Sequence, residues 1–143
     1  MPESARSAQT IAVRCHATVP SMTPTETVTE FCAAWEAVDL DRLMSFFADD
    51  AVYHNMPVDP LVGHEAIRGM IAMFTAGVER IEFRIVNIAA NGSLVLTERL
   101  DVFHRSGGTT ITLPVMGTFE IADGKITAWR DYFDLNQYMA QAG

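Results

Sequence analysis

Apolar positions along this chain change their period near residue 80, which divides it into a helical front and a stranded back. Thr23-Pro24-Thr25-Glu26 is a strong helix start: Thr23 can cap, Pro24 suits the first helical position, and Glu26 completes a capping box. Val28, Phe31, Trp35 and Val38 follow at helical spacing and give one apolar stripe. Asp39 can cap a second short helix bearing Leu43, Phe46 and Phe47, and "ADDAVYHNMP" predicts a turn and a short strand. Gly63 to about Ala76 predicts a third helix with Ile67, Met70, Ile71 and Phe74 on its buried side. Beyond residue 80, Ile81, Phe83, Ile85 and then Asn87 alternate with polar neighbours up to a hairpin at Asn91-Gly92. A second strand runs from about Leu94 to Arg105 and turns at Ser106-Gly107-Gly108. Ile111, Leu113, Val115, Gly117, Phe119 and Ile121 mark the next strand, Asp123-Gly124 a further hairpin, and Ile126 to Asp134 the last strand. A short C-terminal helix holds Leu135, Tyr138 and Met139.

Helices followed by a meander of about five strands make an α+β domain whose sheet curls around its apolar face, with the helices closing one end. Pro114 is awkward within a central strand and predicts a bulge or a local edge. Residues 1–22 read as a polar N-terminal arm, ordered only if it docks, and residues 23–143 as a single domain. No internal repeat or low-complexity segment interrupts it.

Length changes this picture little: 143 residues suffice for a core without disulfides or a metal. The net charge of −8 argues against nucleic acid and phosphate-rich partners and points to a small or neutral ligand. Cys15 and Cys32 form no metal or disulfide motif and read as reduced thiols. With no secretory apolar stretch and no run long enough to span a membrane, the expected setting is the cytoplasm. His16, His54, His64 and His104 lack metal-ligand spacing, and no Gly-rich phosphate loop occurs, so neither metal nor nucleotide cofactor is expected.

Chemistry enters with "TERLDVF" at 97–103. Strand alternation puts Thr97, Arg99, Asp101 and Phe103 on one face, the one expected to point inward. Tyr53 and Asn55 share a face of their own strand, as do Trp129, Asp131 and Phe133 of theirs. In a curled sheet these faces converge on one cavity. Buried polar groups in that number require mutual partners. Two aspartates sharing one arginine carry an excess negative charge, so one carboxyl should keep a proton, and the residues alone do not say which.

"YHNMP" at 53–57, "ERLDVF" at 98–103 and "WRDYFDL" at 129–135 resemble, in order and spacing, the signature stretches of limonene-1,2-epoxide hydrolases. The resemblance spans about residues 24–140. It implies a strongly curved mixed sheet forming a cone-like pocket closed by three to four helices, the fold of nuclear transport factor 2 and ketosteroid isomerase. It also implies a homodimer, no cofactor, and an apolar epoxide hydrated to a vicinal diol without a covalent intermediate. Carried over residue by residue, it makes Asp131 the base, Asp101 the acid and Arg99 the bridge between them, with Tyr53 and Asn55 holding the water. Phe31, Trp35, Met73, Phe83, Phe103, Met116, Trp129 and Phe133 are the candidate pocket lining. An isomerase or cyclase of the same fold and a passive binder of an apolar molecule are the alternatives.

Overall fold

The structure is a computed structural model and describes residues 21–143. Most of the expected N-terminal arm, with Cys15 and His16, lies outside the described residues. Helix α1 (Pro24–Ala34) begins with the capping box that the sequence predicts, and a 3-10 turn at Trp35–Ala37 follows it. Helix α2 (Leu40–Met44) is capped by Asp39, whose side chain accepts from the Arg42 amide. Strand β1 (Phe47–Asn55) starts earlier than "ADDAVYHNMP" suggests, taking Phe47 from the expected helix, and β2 (Leu61–Val62) pairs with it antiparallel. Helix α3 (His64–Thr75) precedes the meander β3 (Val78–Asn91), β4 (Leu94–Arg105), β5 (Thr110–Ala122) and β6 (Lys125–Tyr132). Helix α4 (Leu135–Ala142) ends the chain.

The sheet has six strands rather than about five, in the order β2-β1-β6-β5-β4-β3, and it is mixed because β1 runs parallel to β6. Its inner face and the helices share one core, in which Phe31 meets Trp35, Phe47, Phe119 and Trp129 edge to face. Such ring contacts add to the burial of the rings themselves. The Asp123-Gly124 hairpin places both residues at positive φ, as a two-residue turn matched to strand twist requires.

Two expectations for β3 and β5 are settled by pairing. The β3–β4 register shifts between Ile85 and Asn87, and this bulge turns Asn87 outward to donate to Glu98 at 2.7 Å instead of continuing the inward alternation. Pro114 sits opposite Leu100 with no register break between β4 and β5. It lies beyond Tyr132, where β6 has ended, so Pro114 occupies a local edge and no bulge. Two residues earlier, Gln141 of α4 takes the place of a strand on that edge. It accepts from the Thr112 amide and donates to the Thr112 carbonyl, both at 2.9 Å.

Candidate active site

Strand register assembles the site. Tyr53 and Asn55 on β1 stand opposite Trp129 and Asp131 on β6, and Asp131 in turn stands opposite Gly117 on β5. Gly117 faces Thr97 on β4, two residues from Arg99 and four from Asp101. All of these side chains point inward by alternation.

Arg99 is the hub, with a fully buried side chain. Its Nε donates to Asp101 Oδ1 and its Nη2 to Asp101 Oδ2, both at 3.0 Å, the bidentate fork geometry of a guanidinium on a carboxylate. Nη2 also donates to Asp131 Oδ2 at 2.7 Å, so one nitrogen touches both acids, while Nη1 donates to Thr97 Oγ1 at 3.0 Å. Trp129 Nε1 donates to Asp131 Oδ1 at 2.6 Å. The guanidinium lies over the Phe83 ring at 4.7 Å, and the Tyr53 ring stacks on Trp129 at 4.1 Å. The Tyr53 hydroxyl donates to Asn55 Oδ1 at 3.0 Å.

Burial sets the protonation pattern. It pushes Asp101 up to about 6 against the pull of Arg99, and the negative charge of Asp131 adds to the rise. Asp131 is raised by burial as well, but Arg99 and then Trp129 hold it down. Each carboxylate accepts two N–H bonds, and those to Asp131, at 2.7 and 2.6 Å, are shorter than the two at 3.0 Å to Asp101. Burial and then the Asp131 charge push the Tyr53 phenol upward, so it stays a neutral hydroxyl. Burial also pushes the Cys32 thiol up to about 12, which rules it out as a thiolate nucleophile near neutral pH.

A cavity of about 210 Å³ opens beside these groups. Asp101, Asp131, Tyr53 and Asn55 reach it through a wall that is otherwise apolar, including Met70, Phe74, Leu113, Val115, Leu135 and Tyr138. Of the expected lining, Trp35, Phe83, Phe103 and Phe133 are present. Trp35 Nε1 is buried without a hydrogen-bond partner among the described residues. The other four stand elsewhere. Phe31 and Trp129 are wholly buried behind the wall, where they support it. Met73 is 70% exposed, because Met70 and Phe74 take the inward positions of α3. Met116 is 50% exposed on the outer face, since strand alternation gives the inward places to Val115 and Gly117. His54 points away from the site and bonds the Val58 carbonyl. Among the described residues, no group of three or more His, Cys, Asp or Glu is placed to hold a metal. Among them too, no helix is long and apolar enough to cross a membrane.

Gly117 is the functional position that sequence reasoning missed. A Cβ there would lie 2.2 Å from Arg99 Nη1, 2.7 Å from Asp131 Oδ1 and 2.9 Å from Thr97 Oγ1. The absent side chain is the passage through which Arg99 on β4 reaches across β5 to Asp131 on β6. The available signal was a lone glycine at an inward position of an otherwise apolar strand, which marks close approach. Thr97 was visible on the Arg99 face, but its bond to Nη1 needed coordinates.

Comparison with known proteins gives a consistent pattern. A family model described as the limonene-1,2-epoxide hydrolase catalytic domain matches residues 22–142. Epoxide hydrolase EphG of Mycobacterium tuberculosis (strain ATCC 25618 / H37Rv) is 35% identical over 108 residues, covering 76% of this chain and 71% of that protein. A solved M. tuberculosis LEH-like epoxide hydrolase superposes with a TM-score of 0.72 at 32% identity, over 82% of this chain and 87% of its own. A hypothetical protein from Catenulispora acidiphila DSM 44928 with a ketosteroid isomerase-like fold gives a TM-score of 0.73 at 29% identity, over 85% and 95% of the two chains.

Proposed function

This chain belongs to the limonene-1,2-epoxide hydrolase family, and from that premise we propose that it adds water to an apolar epoxide to give a vicinal diol in one step. A water held by Tyr53 and Asn55 attacks a ring carbon as ionised Asp131 takes its proton. The C–O bond breaks, and protonated Asp101 delivers its proton to the departing ring oxygen. Epoxide and water are thereby consumed and the diol formed, with one proton moved from Asp101 to Asp131. Reloading of Asp101 through the pair joined by Arg99, or from solvent, completes the cycle. Each proton transfer is worth roughly 10²–10⁴-fold in rate. The scheme uses only side chains and water.

One observation carries this reading: Arg99 Nη2 donates to both carboxylates while Tyr53 and Asn55 share their cavity. An isomerase or cyclase needs one base and one donor, and leaves a guanidinium bridging two acids without a task. Single turnover of 1-methylcyclohexene oxide in ¹⁸O-labelled water tests it. Label should enter the diol and none the protein. Label in an aspartate would establish a covalent ester and overturn the direct attack.

The reading extends to a homodimer packed through the outer sheet face, where Val86, Leu100, Pro114, Met116 and Tyr132 line a shallow apolar depression. Light scattering checks this: the wild type should run as a dimer and Met116→Glu as a monomer.

A further inference from the structure

We propose that Trp129 is a positioning residue for the hydration reaction: its indole N–H fixes the Asp131 carboxylate while the face of its ring fixes Tyr53, so one side chain sets the base against the water-holding pair. This rests on the roles given above to Asp131 and Tyr53.

The placement follows from strand order. Trp129 and Asp131 share the inward face of β6 by alternation, and the parallel register of β1 sets Tyr53 beside Trp129 and Asn55 beside Asp131. The indole Nε1 donates to Asp131 Oδ1 at 2.6 Å. The Tyr53 ring lies on the indole with centroids 4.1 Å apart and planes 15° from parallel. Phe119, in register on the other flank of β6, lies at 5.5 Å and 14°. Phe31 meets the indole edge to face at 5.1 Å. Trp129 is wholly buried behind the cavity wall, so it holds the reacting groups without lining the space that takes the epoxide. Packed this closely, the indole keeps one orientation.

An indole has a single donor and no acceptor, and here that donor goes to Asp131. Oδ2 of the same carboxylate accepts from Arg99 Nη2 at 2.7 Å. Donors from β6 and β4 thus hold one oxygen each and fix the carboxylate plane, which a single anchor would leave free to turn about a broad torsion. Each oxygen retains a lone pair for the proton of the attacking water. The N–H also favours the charged carboxylate, the form a base needs. Arg99 and Asp101 face Asp131 from β4, Tyr53 and Asn55 from β1, and the Cys32 thiol from α1, while Gly117 of β5 brings no side chain. Of these only Arg99 also favours the charged form, and it is divided between two acids.

Trp129→Phe keeps the aromatic platform under Tyr53 and removes the N–H. With 1-methylcyclohexene oxide its kcat should fall about ten-fold, the scale of one charge-assisted hydrogen bond, with KM little changed. The acid limb of kcat/KM should move to higher pH by about one unit, a displacement that loosened packing alone would not produce. Trp129→Leu removes the platform as well and should lose a further few-fold in kcat. Indole ¹⁵N NMR of the unliganded protein needs neither turnover nor a variant at this position. The Trp129 N–H signal, told apart from that of Trp35 by Trp35→Phe, should follow the ionisation of Asp131 and lose that dependence in Asp131→Asn. An acid limb that stays in place, an indole signal indifferent to pH, or equal kcat in the two Trp129 variants overturns the proposal. Failure of the wild type to hydrolyse the epoxide strikes the reaction instead. An indole signal that tracks Asp131 upholds the hold on that carboxylate in that case too.

Discussion

Two carboxylate–arginine clusters sit back to back on the β3–β4 ribbon, and they behave oppositely. On the outer face Glu82 contacts Arg80 at 2.7 Å, Arg84 at 2.5 Å and His104 at 2.9 Å. These partners, led by the hydrogen bonds from Arg84 and His104, pull Glu82 down to about 2. Its register neighbour across the ribbon is Val102, next in sequence to Asp101. Asp101 has a bidentate arginine of its own, yet it is pushed up to about 6. The difference is water. At the surface an ion pair is added to a hydrated charge, whereas inside, desolvation of the carboxylate outweighs the attraction of the guanidinium. Sharing one guanidinium between two acids adds to the deficit. Partners hold the carboxylate of the outer cluster charged, and burial favours the protonated form of Asp101 in the inner one.

The widest separation between the clusters should appear in turnover. Asp131→Ala and Asp101→Asn each remove one proton transfer, and either should cost roughly 10²–10⁴-fold in kcat. Glu82→Gln, one strand away on the outer face, should leave kcat unchanged. Steady-state kinetics on the three variants checks both halves.

Next in size is the loss of the shared cation. Arg99→Met leaves two buried carboxylates facing each other and should cost about 3–5 kcal/mol in urea unfolding at pH 7. Adding Asp101→Asn and Asp131→Asn to it should recover most of that stability but no activity. Arg84→Met at the surface should do neither.

Gly117→Ala is smaller and more specific. Its new Cβ meets Arg99 Nη1 at 2.2 Å, so the bridge to Asp131 must shift, at a cost of about 1–3 kcal/mol from overpacking. Thermal unfolding and kcat should both fall.

The smallest effects are in the pH slopes, and their signs differ. The native state holds the Asp101 proton longer than the unfolded chain, so its contribution to stability is full below the ordinary carboxylate range and is lost as pH rises through about 6. Glu82 binds its proton less readily when folded, so its contribution is full above the ordinary range and is lost as pH falls through about 2. In kcat/KM the acid limb follows protonation of Asp131, and the alkaline limb should begin near pH 6, falling ten-fold per unit as Asp101 loses its proton. Asp101→Asn should remove that alkaline limb from whatever activity survives.

Much of this was legible in the chain because it depends on period and alternation. Thr23 and Glu26 gave the first helix, Asp123-Gly124 the last hairpin, and the two-residue spacing of Arg99 and Asp101 put both on one face. What was hidden depends on strand order and register. Nothing local says that β1 lies parallel beside β6, which is what brings Tyr53 and Asn55 to Asp131. The bulge that turns Asn87 outward leaves no mark that distinguishes it from continued alternation. Met73 and Met116 were misplaced for a simpler reason. An apolar side chain suits either face, and here periodicity had already assigned the inward positions to their neighbours. Gly117 was present as an inward glycine, but its purpose appears only once Arg99 is seen to cross it.

Site-resolved carboxyl titration by ¹³C NMR tests the central claim most directly, with Asp101 and Asp131 assigned by mutation. The account predicts that Asp101 holds its proton to about pH 6, above the ordinary aspartate range, and that Glu82 ionises at about 2. A carboxyl of Asp101 that titrates in the ordinary aspartate range, or below it as Glu82 does, would contradict it.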